Sequence, residues 1–586
     1  MKAEALPLLK FLRSSPQLTI PIYQRTYSWT LQNCEQLWND ILRVGASQKV
    51  NAHFIGSIVY VEADLQTVGN PSALLVIDGQ QRVTTATILL EALARAIGDD
   101  EPEDGFTARK IRNYYLLDAE ETGERRHKLI LTQTDKITLI ALTAQQPLPD
   151  KASIRVRENL DFFVSRIAAL DNDGLRNLCR GLAKLMIVEV ALQRDQDNPQ
   201  LIFESMNSTG LALSQADLIR NFVLMGQIPD EQTRLYLSYW RPMEERFGQE
   251  AYQWAFDGFM RHYLTLKTRR IPNINAVYRE FKTYLAEQVT GVEPVLAEIL
   301  AHAGHYAAMA LAQEKDPALA SAFSDLRDLK VDTAYPLLLE LYHDYSTSRL
   351  SQSDLLASVR LIENYVLRRA VCGVPTNMLN KTFAAFAQNL DKDRYLDAVH
   401  ARFANLSGRS RFPDDAEFKH ALCRSHLYSL RPLIIILKRF ETHGRKEPIS
   451  LEGLTIEHIL PQNKDLNPDW ITHLGPNWQA IQDQWLHTLG NLTLTGYNSE
   501  YRDHPFLTKR NLPGGFAQSP LRLNQGLGQL DVWNEATIKE RGERLAETAL
   551  AIWSMPKPSD AALATLPDDI DDDEADDEAD DEIDEA

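Results

Sequence analysis

The sequence predicts a multidomain α+β protein, and three observations lead there. Strand-like and helix-like runs alternate over the first hundred residues. Helical spacing then dominates from about residue 154 to residue 440. After Pro448, β-type segments return among loops rich in Asn, Gly, Pro and Trp. The chain has 586 residues, 44% of them apolar and 24% charged. That composition is ordinary for a globular protein and excludes wholesale disorder or a fibrous protein.

In the N-terminal region, Leu18–Tyr23 is β-rich and Thr30–Leu42 has helical spacing. His53–Val61 reads as a strand containing Gly56. Leu74–Ile77 reads as a short buried strand ending at Asp78-Gly79, and an Ala- and Leu-rich helix follows over Val83–Ile97. The middle reads as helices, including Leu218–Met225, Asp257–Leu266, Leu355–Val371 and Ala416–Phe440. Leu454–Leu460 and Asn491–Thr495 read as strands, Asn534–Trp553 as a closing helix and Pro556–Pro567 as a linker. The expected domains are 1–150, a helical middle over 151–415 in which 200–225 completes the N-terminal motif set, a C-terminal domain over 416–555, and a linker with an acidic tail over 556–586. The tail is low-complexity and expected to be disordered, because it cannot bury a core.

Net charge is −19, but the tail Asp568–Ala586 holds 14 acidic residues and no basic ones. Only five excess negative charges remain on the other 567 residues, so local basic patches can form. Two such clusters stand out: Arg261, Lys267, Arg269 and Arg270, and the five basic residues within Arg431–Pro448. Each reads either as a track for a DNA backbone or as a solvated helix face. No apolar run approaches the 18 or so residues of a membrane span. The first residues read as lacking an apolar core and cleavage site, so no export signal is expected there. Four scattered cysteines with no CxxC support neither a disulfide framework nor a zinc site. The expected location is the cytoplasm, with no membrane partner.

Three N-terminal segments carry chemistry. Ile77-Asp78-Gly79-Gln80-Gln81-Arg82 lies between a strand and a helix start, where backbone N–H groups and the helix dipole favour an anion. Gly79 permits close approach, and Arg82 can hold a phosphate in fork geometry. Gln80 and Gln81 can orient a water or read a base edge. Asp78 can accept from a sugar hydroxyl, help hold a metal, or cap the helix. Upstream, Pro21–Trp29 sets Tyr23, Gln24 and Arg25 among aromatics, a composition that suits either base stacking or a packed strand. Third, Phe203–Asn221 has a polar turn at Asn207–Gly210, then Ser214 as N-cap and Asp217 three residues on.

With HFIGSIV at His53–Val59, these segments resemble, in order, the nucleotide-handling half of the GmrSD family of modification-dependent (type IV) restriction endonucleases. That half is similar in fold to the ParB and sulfiredoxin proteins, and the resemblance covers about residues 1–225. It implies nucleoside triphosphate binding and hydrolysis centred on Asp78, Gln81 and Arg82, with Gly79, Gln80 and Asn207 in the same site. It also implies phosphate contact or modification sensing by Tyr23, Gln24 and Arg25.

Near the C-terminus, Glu457-His458-Ile-Leu-Pro461 is followed by Gly490-Asn491-Leu-Thr-Leu and then Asn498. Phosphodiester hydrolysis needs a base for water, a divalent metal and a support that orients the base. His458 suits the base. Glu457 and Asn498 offer hard oxygens suited to Mg2+, and Asn491 can brace the loop orienting His458. The pattern resembles the HNH (His-Me finger, ββα-metal) nucleases and the nuclease half of the same family over about residues 420–515. Phe506 and Lys509 fit a Phe-x-x-Lys element near its end, which places Lys509 among the DNA-contacting candidates. One departure is Glu457, where many HNH enzymes carry Asp. Trp470, Trp478 and Trp485, between the two strands, read as core packing or as stacking on nucleic acid.

The reading is therefore an NTP-regulated, metal-dependent endonuclease acting on double-stranded modified DNA in phage defence. Its rival is a nucleotide-switched DNA-binding protein that does not cut. A homodimer would supply two active sites for a double-strand cut, and no residue decides it.

Overall fold

A ten-residue strand, His53–Glu62 (β3), organises the N-terminal half. Around it a six-stranded mixed sheet forms in the order β1-β6-β3-β4-β2-β5. Its other strands are Lys2–Pro7 (β1), Leu18–Thr19 (β2), Leu74–Asp78 (β4), Leu129–Ile130 (β5) and Leu185–Leu192 (β6). β3 runs parallel to β6 and antiparallel to β4. The computed structural model describes residues 2–62, 73–98, 100–192, 202, 213–225, 227–447 and 449–564. The chain forms two units, Met1–Pro242 and Met243–Ala586.

The N-terminal unit thus runs well past residue 150, where the sequence reading ends its first domain. The cause is β6, a strand that helical periodicity had hidden. Its run Leu-Met-Ile-Val-Glu-Val-Ala-Leu is apolar almost throughout, as befits a strand paired on both edges. The predicted helix after Asp78-Gly79 is present and longer, Gln80–Ile97 (α1). Fifteen of its eighteen residues are buried. Enclosed on nearly every side, α1 supplies much of the core of this unit, with Ile88, Leu89, Leu90 and Leu93 fully buried.

The second unit is mainly helical. The predicted helix Leu355–Val371 is found as Gln352–Val371 (α2), and it carries three buried charged residues, Glu363, Arg368 and Arg369. Glu363 accepts from Arg439 (2.8 Å) and Trp553 Nε1 (3.1 Å) and pairs with Arg360. Arg439 is thereby removed from the predicted basic track, and Arg445 is held by Glu441 (2.5 Å). In the other cluster, Lys267 pairs with Glu298 (2.6 Å) and Arg269 with Glu340 (3.1 Å). The single helix expected over Ala416–Phe440 is broken into Asp415–Arg424 and Leu433–Thr442. Within the expected linker, Asp560–Leu563 forms a short helix. The acidic tail lies outside the described residues. No described helix is long and apolar enough to cross a membrane.

A two-stranded antiparallel sheet, Thr455–His458 (β7) with Leu492–Thr495 (β8), lies in this unit. Trp470 and Trp485, from the segment between the strands, are buried in the core beside it. The closing helix, Glu535–Ile552 (α3), fixes the start of β8. Its buried Arg541 donates to the carbonyls of Gly490 (2.8 Å), Leu492 (2.9 Å) and Leu523 (3.1 Å). A Cβ at Gly490 would stand 2.1 Å from the Ile538 carbonyl oxygen, so only glycine allows this contact.

Histidines cluster elsewhere in the unit. The rings of His302 and His343 stack at 4.9 Å, and His305 lies 5.6 Å from His302. His262 packs on Tyr335 at 5.3 Å. Burial pushes His262 and His305 down to about 3 and lowers His302. The unfolded chain protonates these rings near pH 6.5, whereas the folded chain holds them neutral. Their contribution to stability is therefore complete above about pH 6.5 and is lost as pH falls toward the folded values. The melting midpoint should fall between pH 7.5 and pH 5.5, by about 2–4 °C per kcal/mol lost. His305→Phe should flatten that slope, which a series of thermal melts would show. An unchanged midpoint in both proteins would contradict it.

Candidate functional site

Two sites are built, one in each unit. In the first, β4 ends at Asp78 and the chain turns into α1 through Gly79, whose φ is +91°. A Cβ there would also lie 2.7 Å from the Ser57 carbonyl oxygen, so glycine is required twice over. Arg82 Nη1 donates to Ser57 O (2.6 Å) and stands 3.7 Å from Asp78 Oδ2. Its guanidinium lies across Gly56, where a Cβ would come within 2.8 Å of Arg82 Cζ.

The two glutamines turn inward. Gln80 Nε2 donates to Gln24 Oε1 (3.1 Å), and Gln24 Nε2 donates to Ile77 O (3.0 Å). Gln81 Oε1 accepts from the backbone N–H of Ser28 (2.9 Å) and Trp29 (3.3 Å), and its Nε2 donates to Thr26 O (3.3 Å). These amides clamp the strap 24–29 onto the turn, whereas the sequence reading gave them to water, a base edge or a nucleotide. Gln24 and Tyr23 are buried, at 2% and 4% exposure, as inward members of that strap.

Arg25 differs from its neighbours. Its Nε is enclosed with no hydrogen-bond partner. Burial lowers its pKa, Asp217 and Asp78 oppose that, and Arg220 adds to it. The helix Gln215–Met225 supplies the nearby pair, with Arg220 Nη2 donating to Asp217 Oδ1 (2.7 Å) and its Nε to Tyr23 O (2.8 Å). Ser214 Oγ accepts from Asp217 N (3.1 Å), the cap read from sequence. Asp78 thus stands between the charges of Arg25 and Arg82 at the start of a helix, an arrangement suited to an oxyanion with an associated cation. Asn207 lies outside the described residues.

The second site is an open cleft of about 280 Å³ at the end of β7. Glu457, His458 and Asn498 all line it, together with Tyr428, Arg502 and Asp503. Asn498 Nδ2 donates to Ile456 O (3.0 Å) and Thr455 Oγ1 (3.2 Å), which fixes the amide and leaves Oδ1 for a ligand. Asn491 is fully engaged. Its Oδ1 accepts from Leu460 N (2.7 Å) and Trp533 Nε1 (3.1 Å), and its Nδ2 donates to Leu460 O (3.0 Å) and Leu486 O (2.9 Å). It ties the strand-end loop to the segment before β8, as a brace would.

Lys509 does not face solvent. It is fully buried, and its Nζ donates to Glu457 Oε1 (2.6 Å), His458 O (3.0 Å) and Ile459 O (3.2 Å). This corrects its placement among DNA-contacting residues: an enclosed ammonium cannot reach a duplex. Burial raises the pKa of Glu457 and lowers that of Lys509, and each charge opposes the shift in the other. The two side chains form a buried pair.

His458 is buried, with Nε2 and His487 Nδ1 3.0 Å apart in a hydrogen bond. Burial first, then His487, Lys509 and His426, push it down to about 3. The ring is therefore neutral at pH 7. Among the described residues, no three His, Cys, Asp or Glu side chains are grouped as a metal site. The oxygens of Glu457 and Asn498 in one cleft nonetheless fit a hard cation that keeps most of its ligands as water or substrate oxygens.

Residues 8–224 match the family model described as GmrSD restriction endonuclease, N-terminal domain. Residues 412–548 match GmrSD restriction endonucleases, C-terminal domain. The chain belongs to the GmrSD restriction endonuclease family. The two matches together cover more than half of it, and each contains one of the two sites. No curated protein matches the chain.

Within this GmrSD chain, sequence reasoning missed Tyr428, His487, Arg502 and Asp503. His487 carried a signal, standing four residues before Asn491 in the segment leading to β8. The other three lie in loops whose fold alone brings them to the cleft. Lys509→Met would leave Glu457 buried and unpaired, and should cost about 3–5 kcal/mol of stability in denaturant unfolding. Adding Glu457→Gln should recover part of that loss. Equal stability of Lys509→Met and the natural chain would contradict the pairing.

Proposed function

We propose that this chain is a nucleotide-dependent endonuclease that cuts modified DNA, serving in defence against phages with such DNA. The single observation that carries the nuclease half is that His458, Glu457 and Asn498 line one open cleft at the end of β7. A neutral imidazole can accept a proton from an attacking water, and a divalent cation such as Mg2+, held by Glu457 and Asn498, would offset the charge developing on the phosphodiester. Asn491 keeps the strand end in place while His458 acts. The antiparallel β7–β8 pair followed by the short helix Asn498–Tyr501 supports an HNH-type (ββα-metal) arrangement.

In the N-terminal unit, Arg25 and Arg82 would hold phosphate oxygens of a nucleoside triphosphate and Asp78 would serve its hydrolysis. The glutamines keep the strap that carries Arg25 against the turn. Family membership supports this reading, as does the ParB- and sulfiredoxin-like motif order of the sequence. Sensing of the modified base or backbone belongs to the same unit, with Arg25 as the member of the Tyr23–Arg25 strap left without a hydrogen bond at Nε.

Matched DNAs, unmodified, methylated, hydroxymethylated, glucosylated and phosphorothioate, would be compared with magnesium, with and without each nucleoside triphosphate. Cutting should be confined to a modified substrate and lost in His458→Ala. Nucleotide hydrolysis should persist in His458→Ala and fall by about 10²-fold or more in Arg82→Ala. Nucleotide turnover with no cutting of any substrate would favour a non-cutting, nucleotide-switched DNA-binding protein.

A further inference from the structure

We infer that His487 is a positioning residue that sets the tautomer of His458, accepting its Nε2–H and leaving Nδ1 bare toward the cleft. The inference rests on the nuclease reading above. An imidazole serves as a base only through a nitrogen that carries no proton. His458 has two ring nitrogens, and Nε2 is committed to His487 Nδ1 at 3.0 Å. Nδ1 has no hydrogen-bond partner among the described residues, and the residue lines the cleft. A proton on Nε2 leaves the lone pair on Nδ1. The opposite direction of donation would put the proton on Nδ1 and abolish the base.

The His487 ring is fixed well enough for this task. Leu427 N donates to His487 O (2.9 Å), which stitches the segment carrying His426 and Tyr428 onto it. The His426 ring lies 4.0 Å from the His487 ring. Tyr428 stacks on His487 at 5.6 Å and meets His458 edge-on at 4.4 Å. On the other side, Asn491 Nδ2 holds Leu486 O (2.9 Å), the carbonyl just before His487. The acceptor is therefore held from both flanks, in the role a carboxylate plays behind the histidine of a hydrolase triad. Here the acceptor is neutral, which orients His458 without stabilising its protonated form electrostatically.

Two variants separate this role from packing. His487→Phe keeps a ring between His426 and Tyr428 but removes the acceptor. His487→Gln offers an amide oxygen in its place. With modified DNA, His487→Phe should lose about 10²-fold or more in kcat with KM nearly unchanged, and His487→Gln should recover to within about tenfold of the natural chain. His487→Phe retaining kcat within about threefold, or His487→Gln falling as far as His487→Phe, would overturn the inference. A second readout does not need cutting: nitrogen-15 histidine spectra of the full chain, assigned with His458→Ala. His458 should carry its proton on Nε2, and His487→Phe should lose that preference. A proton on Nδ1 in the natural chain would overturn the inference whatever the cutting. The expected tautomer without any cleavage would uphold it while refuting the nuclease reading.

Discussion

An ammonium with no access to water lies beneath β7, and the C-terminal site depends on it. Lys509 holds Glu457 at 2.6 Å and also caps the carbonyls of His458 and Ile459. A buried charge is tolerated only when paired and hydrogen-bonded. Lys509 meets that condition solely by drawing the end of β7 into one conformation. The carboxylate, the imidazole that follows it and the turn toward Pro461 are set by the same contact. Asn491 and Arg541 continue the logic from β8, each saturating carbonyls that a short two-stranded sheet leaves open. A pair of four-residue strands has little stability of its own. Here polar groups inside the unit, rather than the sheet, supply the precision.

The N-terminal site follows the same rule with neutral groups. Gln80 pairs with Gln24, and Gln24 and Gln81 pair with backbone, so that a strap rich in polar residues can lie against a buried helix. With the glutamines committed to protein, Asp78, Arg82 and the largely enclosed Arg25 are the charged groups at the turn. In both candidate sites, polar side chains enclosed in the protein hold the backbone that carries the candidate residues.

Much of this was legible in the sequence, for physical reasons that differ by residue. Asp78-Gly79 announced a strand-to-helix turn because only glycine reaches φ +91° without strain. Glu457, His458 and Asn498 were legible as a set because their chemistry is complementary. Lys509 was misplaced, since a lysine in a polar segment reads as solvated until a carboxylate 52 positions away is found beside it. Arg439 and Glu363 present the same difficulty across 76 positions. Gln80 and Gln81 were ambiguous because an amide serves protein and ligand equally well. β6 was hidden because an almost wholly apolar strand has no alternation to distinguish it from a buried helix.

The most direct test of the account is chemical rescue of His458. A His458→Gly chain should bind modified DNA but not cut it, and added imidazole should restore cutting in proportion to its unprotonated fraction. Cutting by His458→Gly without imidazole would contradict the claim that this cleft, with His458 as its base, is where the phosphodiester is hydrolysed.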